Sequence, residues 1–129
     1  MVASGIILKI KNVFLLISYC FRRNGIIGDG ENGEKILRAL DLKTGKVVWE
    51  YPQTGSASSW GGVLSTDGGL VFFGEDSGAF AAVDAKTGKP LWHFQTSQLW
   101  KASPMTYSAD GKQFVSIAAG SSILAFGLP

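Results

Sequence analysis

The chain has 129 residues, of which 46% are hydrophobic and 17% charged, with 17 glycines. That length supports one ordinary domain, and the glycine-rich mix suits a turn-rich β protein and argues against disorder. Net charge is +2, but residues 1–25 hold Lys9, Lys11, Arg22 and Arg23 and no acid, leaving 8 bases against 10 acids downstream. The bulk of the chain is therefore no basic nucleic-acid surface. Cys20 is the single cysteine, so no internal disulfide forms, and no Cys/His cluster has metal-ligand spacing.

Residues 6–21 are apolar but interrupted by Lys9 and Lys11. The uninterrupted run Val13–Phe21 has nine residues, far short of the roughly 20 needed to span a bilayer as a helix. A basic start before an apolar middle fits a signal or anchor remnant, yet Arg22 and Arg23 follow at once without a small-residue cleavage site. Alternation of Leu8 and Ile10 with Lys9 and Lys11 also fits a strand. An unrelated leader is the third reading, and membrane attachment stays open at this stage. Gly25–Gly33, with Gly28, Asp29, Gly30 and Asn32, reads as a loop. Residues 1–33 are thus set apart as a leader and loop without chemistry.

From residue 34 the chain repeats itself. The phrase Leu37–Tyr51 recurs as Phe80–Phe94, placing Asp41 and Trp49 43 residues before Asp84 and Trp92. A period of roughly 40–45 residues marks propeller blades or helical arrays. Ile36–Leu42 and Val47–Tyr51 are short β-rich runs around a Lys-Thr-Gly turn, where Gly45 supplies positive φ. Asp41 precedes that turn and is placed to accept its amide hydrogens. The same hairpin returns at Phe80–Ala85 and Pro90–Phe94 around Gly88, with strands at Gly61–Ser65 and Leu70–Gly74 between the copies. Strands joined by Gly/Asp turns at this period predict a propeller blade.

A third, incomplete copy follows. Ser65–Gly68 maps onto Ser108–Gly111, and Phe80–Val83 onto Ile123–Phe126. The expectation is an all-β partial propeller of about two and a half four-stranded antiparallel blades in an open ring. Its parts are residues 34–51 as the end of one blade, 60–94 as a full blade and 101–129 as an incomplete one. Blades bury their faces against neighbours, so exposed blade faces are expected to self-associate.

The phrase Ala39-x-Asp41-x-x-Thr44-Gly45-Lys46-x-x-Trp49, repeated from Ala82 to Trp92, resembles the tryptophan-docking motif of quinoprotein propellers. These are the pyrroloquinoline quinone (PQQ)-dependent alcohol, methanol and glucose dehydrogenases. Trp60–Gly74 and Ser103-Pro-Met-Thr-Tyr107, followed by Asp110–Val115, resemble the C-terminal region of that family. The resemblance spans residues 34–129 and implies part of an eight-bladed ring that holds PQQ near its axis, usually beside calcium. It implies that Trp60, Gly61 and Gly62 lie at the cofactor side, the aromatic offering stacking area and the glycines close backbone approach. Trp100 and Lys101 occupy the equivalent connection before the next blade and are expected at the same cavity. The family's catalytic aspartate, metal-binding residues and adjacent cysteine pair lie in earlier blades, so calcium is expected outside this segment and no catalytic residue within it.

Other eye-catching residues have plainer roles. Trp49 and Trp92 repeat on an outer strand and read as inter-blade packing, and Asp41 and Asp84 read as turn caps. Glu75 and Asp76, in a Gly/Ser turn, read as solvated acids, and His93 has no partner motif. No nucleophile triad, P-loop or dinucleotide fingerprint is present. The functional expectation is a piece of a periplasmic PQQ-dependent dehydrogenase-like propeller, inactive alone, acting on an alcohol or sugar only in the intact protein. The rival is a piece of a non-catalytic propeller scaffold for protein–protein interaction, of the outer-membrane assembly type.

Overall fold

The computed structural model describes residues 8–9, 14–21, 34–55 and 61–127. They form three antiparallel sheets, and among them no helix occurs, so none is long and apolar enough to cross a membrane. The first sheet holds β1 (Leu8–Lys9), β2 (Phe14–Phe21), β3 (Glu34–Asp41) and β4 (Val47–Gln53) in that order. The second holds β5 (Val63–Ser65), β6 (Leu70–Gly74), β7 (Ala79–Asp84) and β8 (Pro90–Gln95). The third holds β9 (Met105–Ala109), β10 (Lys112–Ala119) and β11 (Ser122–Gly127). Each sheet is one meander, the arrangement of a propeller blade.

The first blade is fuller than the repeat pattern alone predicts. Phe14–Phe21 pairs antiparallel with β3 along its whole length, from Phe14 opposite Asp41 to Phe21 opposite Glu34. The pairing puts a strand within the apolar run that precedes Arg22. The run lacks the blade's sequence phrases because pairing uses backbone groups, for which aromatic and branched residues suffice.

The middle blade explains why its strands read as continuous apolar runs. Successive side chains in a strand point to opposite faces. Val71, Phe73, Ala81 and Val83 therefore pack with Leu37, Ala39 and Trp49 of the first blade. Phe72, Phe80 and Ala82 face the other way, onto Trp100, Val115, Ile117 and Ala119. With both faces covered, β6 and β7 are buried almost throughout, whereas the outer strand β8 is exposed along its length. The third blade covers one face only, leaving Met105, Tyr107 and Ile123 exposed, the last at 79%.

The antiparallel order divides each blade into two ends. At one end lie the Thr-Gly hairpin turns. Asp41 accepts the amide hydrogens of Lys43 at 2.8 Å and Thr44 at 3.0 Å, and Asp84 those of Lys86 at 2.9 Å and Thr87 at 2.8 Å. Gly45 and Gly88 take φ of 69° and 71°. These caps match the sequence expectation. At the other end lie the β6–β7 turn and the links that carry the chain from an outer strand to the next inner strand.

Candidate functional site

The residues expected at the cofactor side fall on the two inter-blade links, and the structure brings those links into contact. Trp60 lies outside the described residues. Gly61 sits so close to the second link that a Cβ there would approach the carbonyl oxygen of Trp100 at 2.9 Å and that of Ala102 at 3.1 Å. Only a residue without a side chain permits this approach. Gly62 beside it is buried.

Trp100 and Lys101 part company at this point. The Trp100 indole is fully buried, wedged against Gly74 and tilted onto Phe80 with 5.5 Å between ring centroids. Its ring lies in the core between the second and third blades, and what it offers Gly61 is its backbone carbonyl. Its Nε1 hydrogen has no acceptor among the described residues. Lys101 is exposed and lines a shallow cleft of about 300 Å³ together with Leu99, Ala102, Ala118 and Gly120. A flexible ammonium beside a glycine-lined connection can meet an anionic group, while the buried indole fixes where the connection runs.

Glu75 and Asp76 correct the sequence reading. They are not solvated turn acids. Glu75 is 5% exposed, and the Asp76 side chain is 1% exposed and pairs with Lys35 at 3.6 Å across the seam between the first two blades. Thr54, on the link leaving β4, donates its hydroxyl to Glu75 Oε2 at 3.1 Å, as does Ser77 at 3.1 Å. Burial follows from the fold: the β6–β7 turn is tucked under residues 54 and 55, where the Ser77 amide donates to the Thr54 carbonyl at 3.1 Å. No local signal in a Glu-Asp-Ser-Gly turn distinguishes this from an exposed turn. Tyr51 stands beside the Glu75 carboxylate. Burial first, and the adjacent negative charge second, push its phenol up to about 12.

Comparison with known proteins decides the family. Residues 52–115 match the β-propeller domain described as PQQ: glucose/ethanol/alcohol dehydrogenase. The chain is 48% identical over 84 residues to the quinoprotein alcohol dehydrogenase PedE of Pseudomonas putida. The chain belongs to the PQQ-dependent dehydrogenase propeller family. The matched region is 65% of this chain and 13% of that relative, so the chain spans a small part of the length of the curated family members it matches.

Solved structures agree on the fold. The quinohemoprotein alcohol dehydrogenase of Comamonas testosteroni superposes with a TM-score of 0.69 at 23% identity, covering 85% of this chain and 21% of that one. BamB of Moraxella catarrhalis superposes with a TM-score of 0.59 at 17% identity, covering 95% of this chain and 49% of its own. The first sits within the PQQ family, and the second shows the same blade architecture beyond it. Among the described residues no group of three His, Cys, Asp or Glu side chains is gathered that could hold a metal ion.

Proposed function

We propose that this chain is a wall segment of a PQQ-dependent alcohol or sugar dehydrogenase propeller, inactive alone. The observation that carries the reading is the contact of Gly61 with the Trp100–Ala102 backbone. It joins the two links that the family resemblance assigns to the cofactor side. Bound in the intact ring, PQQ supplies two-electron oxidation of the substrate. The residues present fit an anionic, planar group: Lys101 offers an exposed cation to a carboxylate, and Gly61 and Gly62 let the backbone come close. Trp60 would add stacking area. Trp100, anchored on Gly74 and Phe80, holds the Lys101 link in place. Calcium belongs outside this segment, and the compartment that goes with the reading is the periplasm.

The test replaces the matching segment of the Pseudomonas putida relative with residues 34–129. The chimera is expected to bind PQQ with calcium and to oxidise an alcohol, and Trp60→Ala with Lys101→Ala to weaken PQQ binding at least about tenfold. A folded chimera that holds PQQ equally well with both substitutions overturns the assignment. Saturable, tight calorimetric binding of PQQ plus calcium by the 129-residue chain alone overturns its inactivity. The second reading, a non-catalytic scaffold propeller, draws on the BamB likeness, which is one of fold alone.

A further inference from the structure

A second cavity lies beside the link that leaves β4, on the face of the second blade that turns toward the first. It has a volume of about 330 Å³ and is lined by Tyr51 of β4, Glu75 of the β6–β7 turn and residues of β8 that include Leu91 and His93. Three features of its wall belong together chemically. Glu75 is 5% exposed, and both hydroxyl bonds it accepts go to Oε2. Its Oε1 is buried without a hydrogen-bond partner. A buried carboxylate oxygen left unpaired forfeits stabilisation that an incoming donor restores.

The Lys35 cation that could neutralise this region is engaged 3.6 Å from Asp76. The carboxylate of Glu75 is thus flanked by a buried pair already balanced in charge. Beside it the cavity presents the aromatic side chain of Tyr51, while the Trp92 ring turns to the other face of the blade, onto Phe80 and Phe126. Tyr51 is a neutral phenol here, able both to donate and to accept a hydrogen bond. Pro90 and Leu91 complete an apolar strip along the mouth. A carboxylate with a free oxygen, an aromatic surface and a short apolar wall is the surrounding that an ammonium group carrying an alkyl chain satisfies.

We propose that this inter-blade cavity binds a small primary alkylammonium ion, its N–H groups on Glu75 Oε1 and its alkyl chain along β8 toward Leu91. The free oxygen needs a hydrogen donor, which selects a primary ammonium over a quaternary one. The cationic charge selects it over an alcohol of equal length. The cavity lining includes neither Gly61 nor Lys101, so the test needs no PQQ.

Titration calorimetry of the full chain with n-butylammonium, n-butanol and tetramethylammonium tests this. Saturable binding of butylammonium, at least about tenfold tighter than either control, is expected. Glu75→Gln keeps the shape and the Oε2 acceptor while removing the charge, and is expected to weaken butylammonium binding at least about tenfold. Because a buried substitution can disturb folding, Leu91→Trp supplies an independent arm. Leu91 is 53% exposed at the cavity mouth, and a larger side chain there is expected to block binding with an unchanged β-sheet circular dichroism spectrum. Absent or unsaturable butylammonium binding, equal binding of butanol, or tight binding retained in a folded Glu75→Gln chain each overturns the proposal.

Discussion

The Trp49 indole donates its Nε1 hydrogen to the carbonyl oxygen of Ala85 at 3.0 Å, across 36 residues of chain. Its ring lies over Gly88, so the outer strand of one blade is docked on the hairpin of the next. Trp49 is 8% exposed, while Trp92, its copy on β8, is 40% exposed and rests edge-on against Phe126 at 5.2 Å. The residue matching Ala85 in the third blade is Leu128, outside the described residues.

Removing the Trp49 ring is therefore expected to be costly. Trp49→Ala should destabilise the chain by about 3–5 kcal/mol, the range for deleting a buried aromatic. Trp49→Phe keeps much of the area but leaves the Ala85 carbonyl unpaired, for about 1–3 kcal/mol. Urea unfolding followed by circular dichroism measures both. Equal stability of Trp49→Phe and the native chain would show the hydrogen bond to be dispensable.

Gly45 and Gly88 provide a matched pair. They occupy the same turn position with φ of 69° and 71°. Alanine at Gly45 meets nothing within 4 Å, whereas a Cβ at Gly88 would meet a Trp49 ring carbon at 2.5 Å. Gly45→Ala is expected to cost about 1–2 kcal/mol for backbone strain alone. Gly88→Ala should cost about 1–3 kcal/mol more, through displacement of the tryptophan. The difference between their urea midpoints reads out docking directly.

Asp41 and Asp84 make folding sensitive to acid. Amide bonds from Lys43 and Thr44 hold the Asp41 carboxyl below its usual range, and the Thr87 hydroxyl and amide do the same for Asp84. A depressed folded pKa contributes stability above the unfolded value of about 3.9, and that contribution is lost as pH falls. Melting temperature is expected to drop below about pH 4, and Asp41→Asn with Asp84→Asn to flatten that acid limb. An acid limb unchanged in the double variant would rule these caps out as its source.

Tyr51 titrates in the opposite direction. Its phenol is raised to about 12 by burial and then by Glu75. The stability linked to it is fully present below the unfolded value of about 10 and is lost as pH rises through the folded value. Phenolate absorbance should show a late alkaline step that disappears in Tyr51→Phe. In Glu75→Gln the step should move downward only part of the way, because burial remains. A Tyr51 step at the ordinary value in the native chain would contradict the Tyr51–Glu75 proximity.

Much of this protein is written in the sequence. The 43-residue offset between Asp41 and Asp84 announces blades, because a turn cap and a docking tryptophan are local devices repeated with the unit they serve. The Thr-Gly turns, the apolar runs of β6 and β7, and the family phrases around Trp60 and Ser103 are legible for the same reason. Burial of charge is not. Glu75 and Asp76 sit in a turn that reads as solvent-facing, and only the neighbouring blade, bringing Lys35 and Thr54 across the seam, takes them out of water. Strand pairing of Phe14–Phe21 with β3 is likewise decided in three dimensions, since backbone hydrogen bonds carry no sequence signature. The chain's own order thus determined the blade and its family. Contact between blades decided which tryptophan is docked, which acids are buried, and that the links at Gly61 and Trp100 meet.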